Sequence, residues 1–126
     1  MRVGSRKVLV IDDSEISLHF ASQVLERAGF DVRTSTTVET DALGEWRPDV
    51  ILTDVRMPGI SGVELCRMLK SRYDTAHVPV VLFSAMAPQE LEVLARDCEA
   101  DGYLSKLNGL DNLPEELSLL LETTMF

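Results

Sequence analysis

Five side chains could do chemistry together, and each stands at the same kind of place. Asp12 and Asp13 close the run VLVI, Asp54 follows VILT, Ser84 closes VVLF, and Lys106 follows the short stretch GYLS. Three carboxylates with no histidine or cysteine beside them make a hard, all-oxygen set, which prefers magnesium or a similar ion keeping several of its own waters. A carboxylate is also a nucleophile toward phosphorus. It gives an aspartyl phosphate when a metal and a positioned cation neutralise the oxygens of the transferring group. Lys106 can supply that cation, and the Ser84 hydroxyl can donate to another phosphoryl oxygen. Asp12 and Asp13 need such company in any case, because carboxylates crowded at a poorly solvated edge repel each other and resist ionisation.

The five meet if the apolar runs are strands of one parallel sheet. All strands then point the same way, and ligands bind beyond their carboxyl ends. The spacing predicts strands at 7–11, 31–34, 50–53, 80–84 and 102–105. Between them run amphipathic stretches at helical spacing. The first covers 14–27 with Ile16, Phe20 and Val24 inward, and the second carries Val38, Ala42 and Trp46 and stops before Pro48. A third covers 61–73 with Val63, Cys66 and Leu69 inward. A fourth starts at Pro88 with Leu91, Leu94, Ala95 and Cys98 inward, and a last one starts between Asn112 and Pro114 with Leu113, Leu117, Leu120 and Leu121 inward. Alternating strands and helices predict an α/β, doubly wound, five-stranded parallel sheet with right-handed crossovers. The polar strand 31–34 and the short strand 102–105 belong at the edges, which gives the flavodoxin-like order 2-1-3-4-5.

The remaining composition narrows the function. The chain has 126 residues, room for one domain and one core. Twenty-one acidic against twelve basic residues leave a net charge of -9, which argues against direct binding of nucleic acid. No apolar run is long enough to span a bilayer, and the basic start MRVGSRK leads straight into a strand pattern, so a soluble cytoplasmic protein is expected. Cys66 and Cys98 fall on apolar helix faces, which suits buried free thiols better than a disulfide or zinc site. His19 and His77 are expected to face solvent or serve structure.

Asp12 and Asp13, Asp54 followed by Met57-Pro58-Gly59, Ser84-Ala85 and Lys106 together resemble the receiver domain of two-component response regulators. The resemblance runs from 7 to about 121, so that 1–126 would form a single receiver domain. It implies that Asp54 accepts a phosphoryl group from a histidine kinase's phosphohistidine, or from a phosphotransfer protein. Magnesium would be held by Asp13, Asp54 and the backbone carbonyl of Arg56, with Asp12 acting mainly through water. Ser84 would move toward the phosphoryl group and Tyr103 would rotate inward behind it. The domain would be no enzyme in its own right, but a phosphoacceptor that assists its own transfer. A downstream protein would read the surface made by the fourth helix, fifth strand and fifth helix, the domain being a monomer or a phosphorylation-dependent dimer. Arg56 and Met86 stand where similar proteins tune the lifetime of the phosphoryl group. Two features depart from the family: Leu107 stands where proline usually follows the lysine, and the stretch NGLDN delays the last helix. Both imply a differently shaped loop around Lys106.

Plainer readings exist for each residue. Asp13 and Ser14 could be helix caps, Lys106 could pair with Asp101, and Tyr103 could be an ordinary half-buried tyrosine at a sheet edge. Competing functions remain as well. An aspartyl-phosphate phosphohydrolase would need a second aspartate where Arg56 stands. A flavin or nucleotide site would need a phosphate cradle after the first strand, where DDSEIS is acidic instead. A pseudo-receiver would bind partners without phosphorylation.

Overall fold

Val8, Leu9, Val10 and Ile11 are all buried, as a strand with helices on both faces requires. The computed structural model describes residues 6–37 and 46–124. Five strands form one parallel sheet: β1 (Lys7–Ile11), β2 (Asp31–Ser35), β3 (Val50–Thr53), β4 (Val80–Ser84) and β5 (Gly102–Ser105). Their order is β2-β1-β3-β4-β5, the order expected, with the polar β2 and the short β5 at the edges. The described helices are α1 (Glu15–Arg27), α2 (Gly62–Ser71), α3 (Pro88–Asp97) and α4 (Leu113–Thr124). The stretch expected to form a helix around Val38 and Ala42 lies outside the described residues.

Alternate strand residues feed two cores. Val8, Val10, Leu52 and Phe83 pack with Leu18, Ala21 and Leu25 of α1 and with Leu117 and Leu121 of α4. Leu9, Ile51, Val80 and Leu82 pack on the other face with Leu65, Cys66 and Leu69 of α2 and Leu91, Ala95 and Cys98 of α3. This is the doubly wound arrangement, and it buries both cysteines as free thiols. Burial pushes the Cys66 thiol up to about 12, with neighbouring Cys98 adding to the rise, so it stays protonated and unreactive.

Three expectations need correction. The buried face of α1 is Leu18, Ala21 and Leu25, while Ile16 and Phe20 are 72% and 49% exposed. Both stripes have helical spacing, and packing against α4 and the sheet selects the one with the small Ala21 at its centre. The second concerns α2, which ends at Ser71 rather than 73, leaving Tyr73 fully exposed. Two hydroxyls take its last carbonyls, Thr75 Oγ1 donating to Leu69 at 2.7 Å and Ser71 Oγ to Met68 at 2.8 Å. The third is β2, which runs one residue further, to Ser35, because its register against β1 continues to Ile11. His19 and His77 are both exposed, as expected.

The two helix registers make opposite forecasts. Leu25→Ala, on the buried face of α1, should cost about 2–5 kcal/mol. Phe20→Ala should cost less than about 1 kcal/mol, since its ring is already half in water. Urea denaturation of both variants measures the difference.

Candidate functional site

Strand pairing carries the backbone one residue past β1 and β3. The Asp12 N–H donates to Ser35 O at 3.1 Å and the Asp54 N–H to Ile11 O at 2.9 Å, so both aspartates leave the sheet side by side. One carboxylate oxygen from each of Asp12, Asp13 and Asp54 lies within 4.8 Å of the others. Their surroundings differ. Asp12 is 2% exposed, and its Oδ1 accepts the Ser14 N–H at 2.9 Å. Asp13 faces solvent. Ser14 is the cap of α1, its hydroxyl accepting the Ser17 N–H at 3.3 Å, so capping falls to Ser14 and leaves Asp13 out of it.

Lys106 reaches into this cluster from the end of β5, two strands away from β3. Its Nζ lies 2.5 Å from Asp12 Oδ2 and 3.6 Å from Asp54 Oδ2, and it donates to Ser17 Oγ at 3.3 Å. The Phe83 ring lies beneath it, 5.2 Å from ammonium to centroid. Asp101, the alternative partner, is instead taken by Lys70 Nζ and the Val80 N–H. The turn after β5 is the helical turn Lys106–Asn108, followed by a second at Leu110–Asn112, and it delivers the lysine with Leu107 in place of proline.

Asp54 is held at three points. Its Oδ1 accepts the Val55 N–H at 2.8 Å, and its own carbonyl accepts the Thr53 hydroxyl at 3.0 Å. The third is steric: a Cβ on Gly62 would stand 2.0 Å from that carbonyl oxygen, so the first turn of α2 can press against Asp54 only as glycine. Burial raises the Asp54 carboxyl above its ordinary value; Lys106 lowers it, Asp12 raises it again, and the Val55 N–H and Ser84 hydroxyl pull it back. Its proton is therefore held more firmly than that of an exposed aspartate.

A cleft of about 330 Å³ opens over Asp54, lined also by Arg56, Ser84, Met86 and Lys106. The fold thus brings together Asp12, Asp13, Asp54, Arg56, Ser84 and Lys106. Tyr103 stands outside this lining, half-buried against the core on the α2 and α3 side. The sequence analysis singles out neither Ser17 as a partner of the lysine nor Gly62 as a neighbour of Asp54. Ser17 follows the cap Ser14 by three residues, one turn on. Glycine at the first position of a helix has no advantage for helix formation, and that was the available signal.

The glycine contact can be tested directly. Gly62→Ala should destabilise the chain by about 1–3 kcal/mol in urea denaturation. It should also shift the backbone amide resonances of Asp54 and Val55 more than those of the distant β2.

Comparison with known proteins follows the same geometry. Residues 8–118 match the family model of the response regulator receiver domain. The polar-differentiation response regulator DivK of Brucella anthropi is 31% identical over 103 residues, covering 80% of this chain and 84% of that protein. The structure of the chemotaxis response regulator CheY4 of Vibrio cholerae superposes with a TM-score of 0.82 at 26% identity, covering 92% of this chain and 98% of that one. The signal receiver domain of a signal transduction histidine kinase from Syntrophus aciditrophicus gives 0.81 at 27% identity, covering 94% of this chain and 92% of that one. The acidic pair, the aspartate beside it and the lysine facing both stand on a frame that the family shares, and the chain belongs to the response regulator receiver domains.

Proposed function

We propose that Asp54 accepts a phosphoryl group from a phosphohistidine, borne by a sensor histidine kinase or a phosphotransfer protein, with magnesium at the carboxylate cluster. The observation that carries this reading is the single ammonium of Lys106 set between Asp12 and Asp54 at the mouth of one cleft. The donor set fits the ion, being three carboxylates with no nitrogen or sulfur ligand among them. Asp13 and Asp54 would hold it directly, together with the backbone carbonyl of Arg56. Asp12 would act through water, because Lys106 and the Ser14 N–H already occupy its oxygens. Bound there, magnesium supplies a Lewis acid that neutralises charge on the phosphoryl oxygens.

The remaining chemistry belongs to the chain. A carboxylate oxygen of Asp54 bonds to phosphorus as the phosphorus–nitrogen bond of the phosphohistidine breaks, and the imidazole leaves with that electron pair. The Lys106 ammonium shifts from Asp12 to a phosphoryl oxygen, and the Ser84 hydroxyl donates to another. Replacing the half-buried Asp54 carboxylate with an acyl phosphate that carries roughly 1.5–2 negative charges would bias the β4–α3 loop toward Ser84 bonding, and Tyr103 would turn inward behind it. Arg56 at the cleft supports acceptance over hydrolysis, since a phosphohydrolase would need a second acid at that position. Arg56 and Met86 line the cleft and would set how long the phosphoryl group lasts.

The domain would work in the cytoplasm, as a monomer or as a dimer formed on phosphorylation. A protein partner would read the α3–β5–α4 surface, whose exposed Gln89, Glu90 and Glu115 form no basic stripe for nucleic acid. No described helix is long and apolar enough to cross a membrane.

Intact-mass measurement tests the central step. Magnesium plus a small acyl-phosphate donor should add one phosphoryl group, and Asp54→Asn should abolish the addition. Asp13→Ala should weaken magnesium binding more than Asp12→Ala, and equal losses would contradict that division of roles. A wild-type chain that binds magnesium but stays unmodified would make it a phosphorylation-independent interaction module instead.

A further inference from the structure

One buried hydroxyl beside the site takes no part in the chemistry above. Ser105 ends β5 and is 4% exposed. Its Oγ donates to the Met86 carbonyl at 2.7 Å and accepts the Leu107 N–H at 3.2 Å. Both directions are fixed by chemistry, since a carbonyl can only accept and an amide N–H can only donate. The chain Leu107 N–H to Ser105 O–H to Met86 C=O therefore joins two loops. One carries Lys106, and the other carries Ser84.

Two details give this bridge weight. The cap residue of α3 is Ala87, with no side-chain bond to the helix start, so the loop between Ser84 and α3 lacks an anchor of its own kind. Ser105 anchors it from outside, at the residue just before that cap. The other detail is Leu107. Its side chain is 65% exposed, so what the position contributes to the bridge is its backbone N–H, which a proline would lack. The same hydroxyl caps the turn Lys106–Asn108, from which the lysine reaches Asp12 and Asp54.

We propose that Ser105 is a positioning residue for phosphoryl transfer. By tying Met86 to the Lys106 turn, it holds the ammonium and the Ser84 hydroxyl at a common spacing, so both close on the same phosphoryl group. The inference rests on Asp54 being the phosphoacceptor. Ser105 touches neither the phosphoryl group nor the metal, so its loss should slow transfer while leaving magnesium affinity unchanged.

The test uses the full chain with acetyl phosphate and magnesium, following the rate of phosphoryl addition by intact mass and magnesium affinity by calorimetry. Ser105→Ala should lower the rate constant about three- to tenfold, the worth of one buried hydrogen bond. Ser105→Cys, close in shape but a weak donor, should fall with it, and Ser105→Thr, which keeps the hydroxyl, should recover most of the rate. Magnesium affinity should match wild type in all three. Alanine and cysteine variants that react at the wild-type rate, or that lose rate only in proportion to magnesium affinity, would overturn the proposal. A wild-type chain that takes no phosphoryl group would overturn the phosphoacceptor reading and this one with it.

Discussion

Lys106 Nζ lies 2.5 Å from Asp12 Oδ2 and 3.6 Å from Asp54 Oδ2, in a corner where Asp12 is almost wholly removed from water. Without that ammonium, Asp12 would be a buried charge with only the Ser14 N–H to hold it, an arrangement that costs several kcal/mol, roughly 3–5 when one partner of such a pair is lost. The pair therefore constrains everything around it. Ser17 and the Phe83 ring are placed to receive the lysine, and the turn after β5 is shaped to deliver it. Three carboxylates against one ammonium still leave two negative charges, the complement of one divalent cation. The same ammonium that makes the corner foldable is the group the proposed chemistry needs next to phosphorus.

The site costs stability, and the sign of that cost is readable. Asp54 holds its proton more firmly in the native state than at its ordinary value of 3.8. The native state is then favoured most below that value, and this favour is lost as pH rises through the higher native value. Ionising Asp54 therefore works against folding. The two apolar cores on either side of the sheet offset it, in which strand residues alternate between contact with α1 and α4 on one face and with α2 and α3 on the other. The proposed cation and phosphoryl group would change the balance beyond the carboxyl ends of the strands rather than in the cores, which suits a switch.

The strands and their order were legible because buried parallel strands read as continuous apolar runs, and polar DVRT could only be an edge. Reading the residues at the ends of those runs then found Asp12, Asp13, Asp54, Ser84 and Lys106 together. The inward face of α1 was not legible, since Ile16 and Phe20 repeat with the same period as Leu18, Ala21 and Leu25, and only tertiary packing chooses between them. The roles of Gly62 and Ser105 were hidden for a related reason. One acts by having no side chain where Asp54's carbonyl passes, the other through bonds to backbone atoms of Met86 and Leu107. Ser105 leaves no pattern in one sequence, and Gly62 leaves only a glycine where a helix starts.

The electrostatic arrangement is tested most directly by the ionisation of Asp54 itself, followed through its side-chain carboxyl carbon by NMR in metal-free buffer. In the wild-type chain the midpoint should lie above 3.8, and in Lys106→Met it should rise further, because the largest influence opposing burial has been removed. An ordinary midpoint in the wild type, unmoved by Lys106→Met, would contradict the coupling on which the site depends.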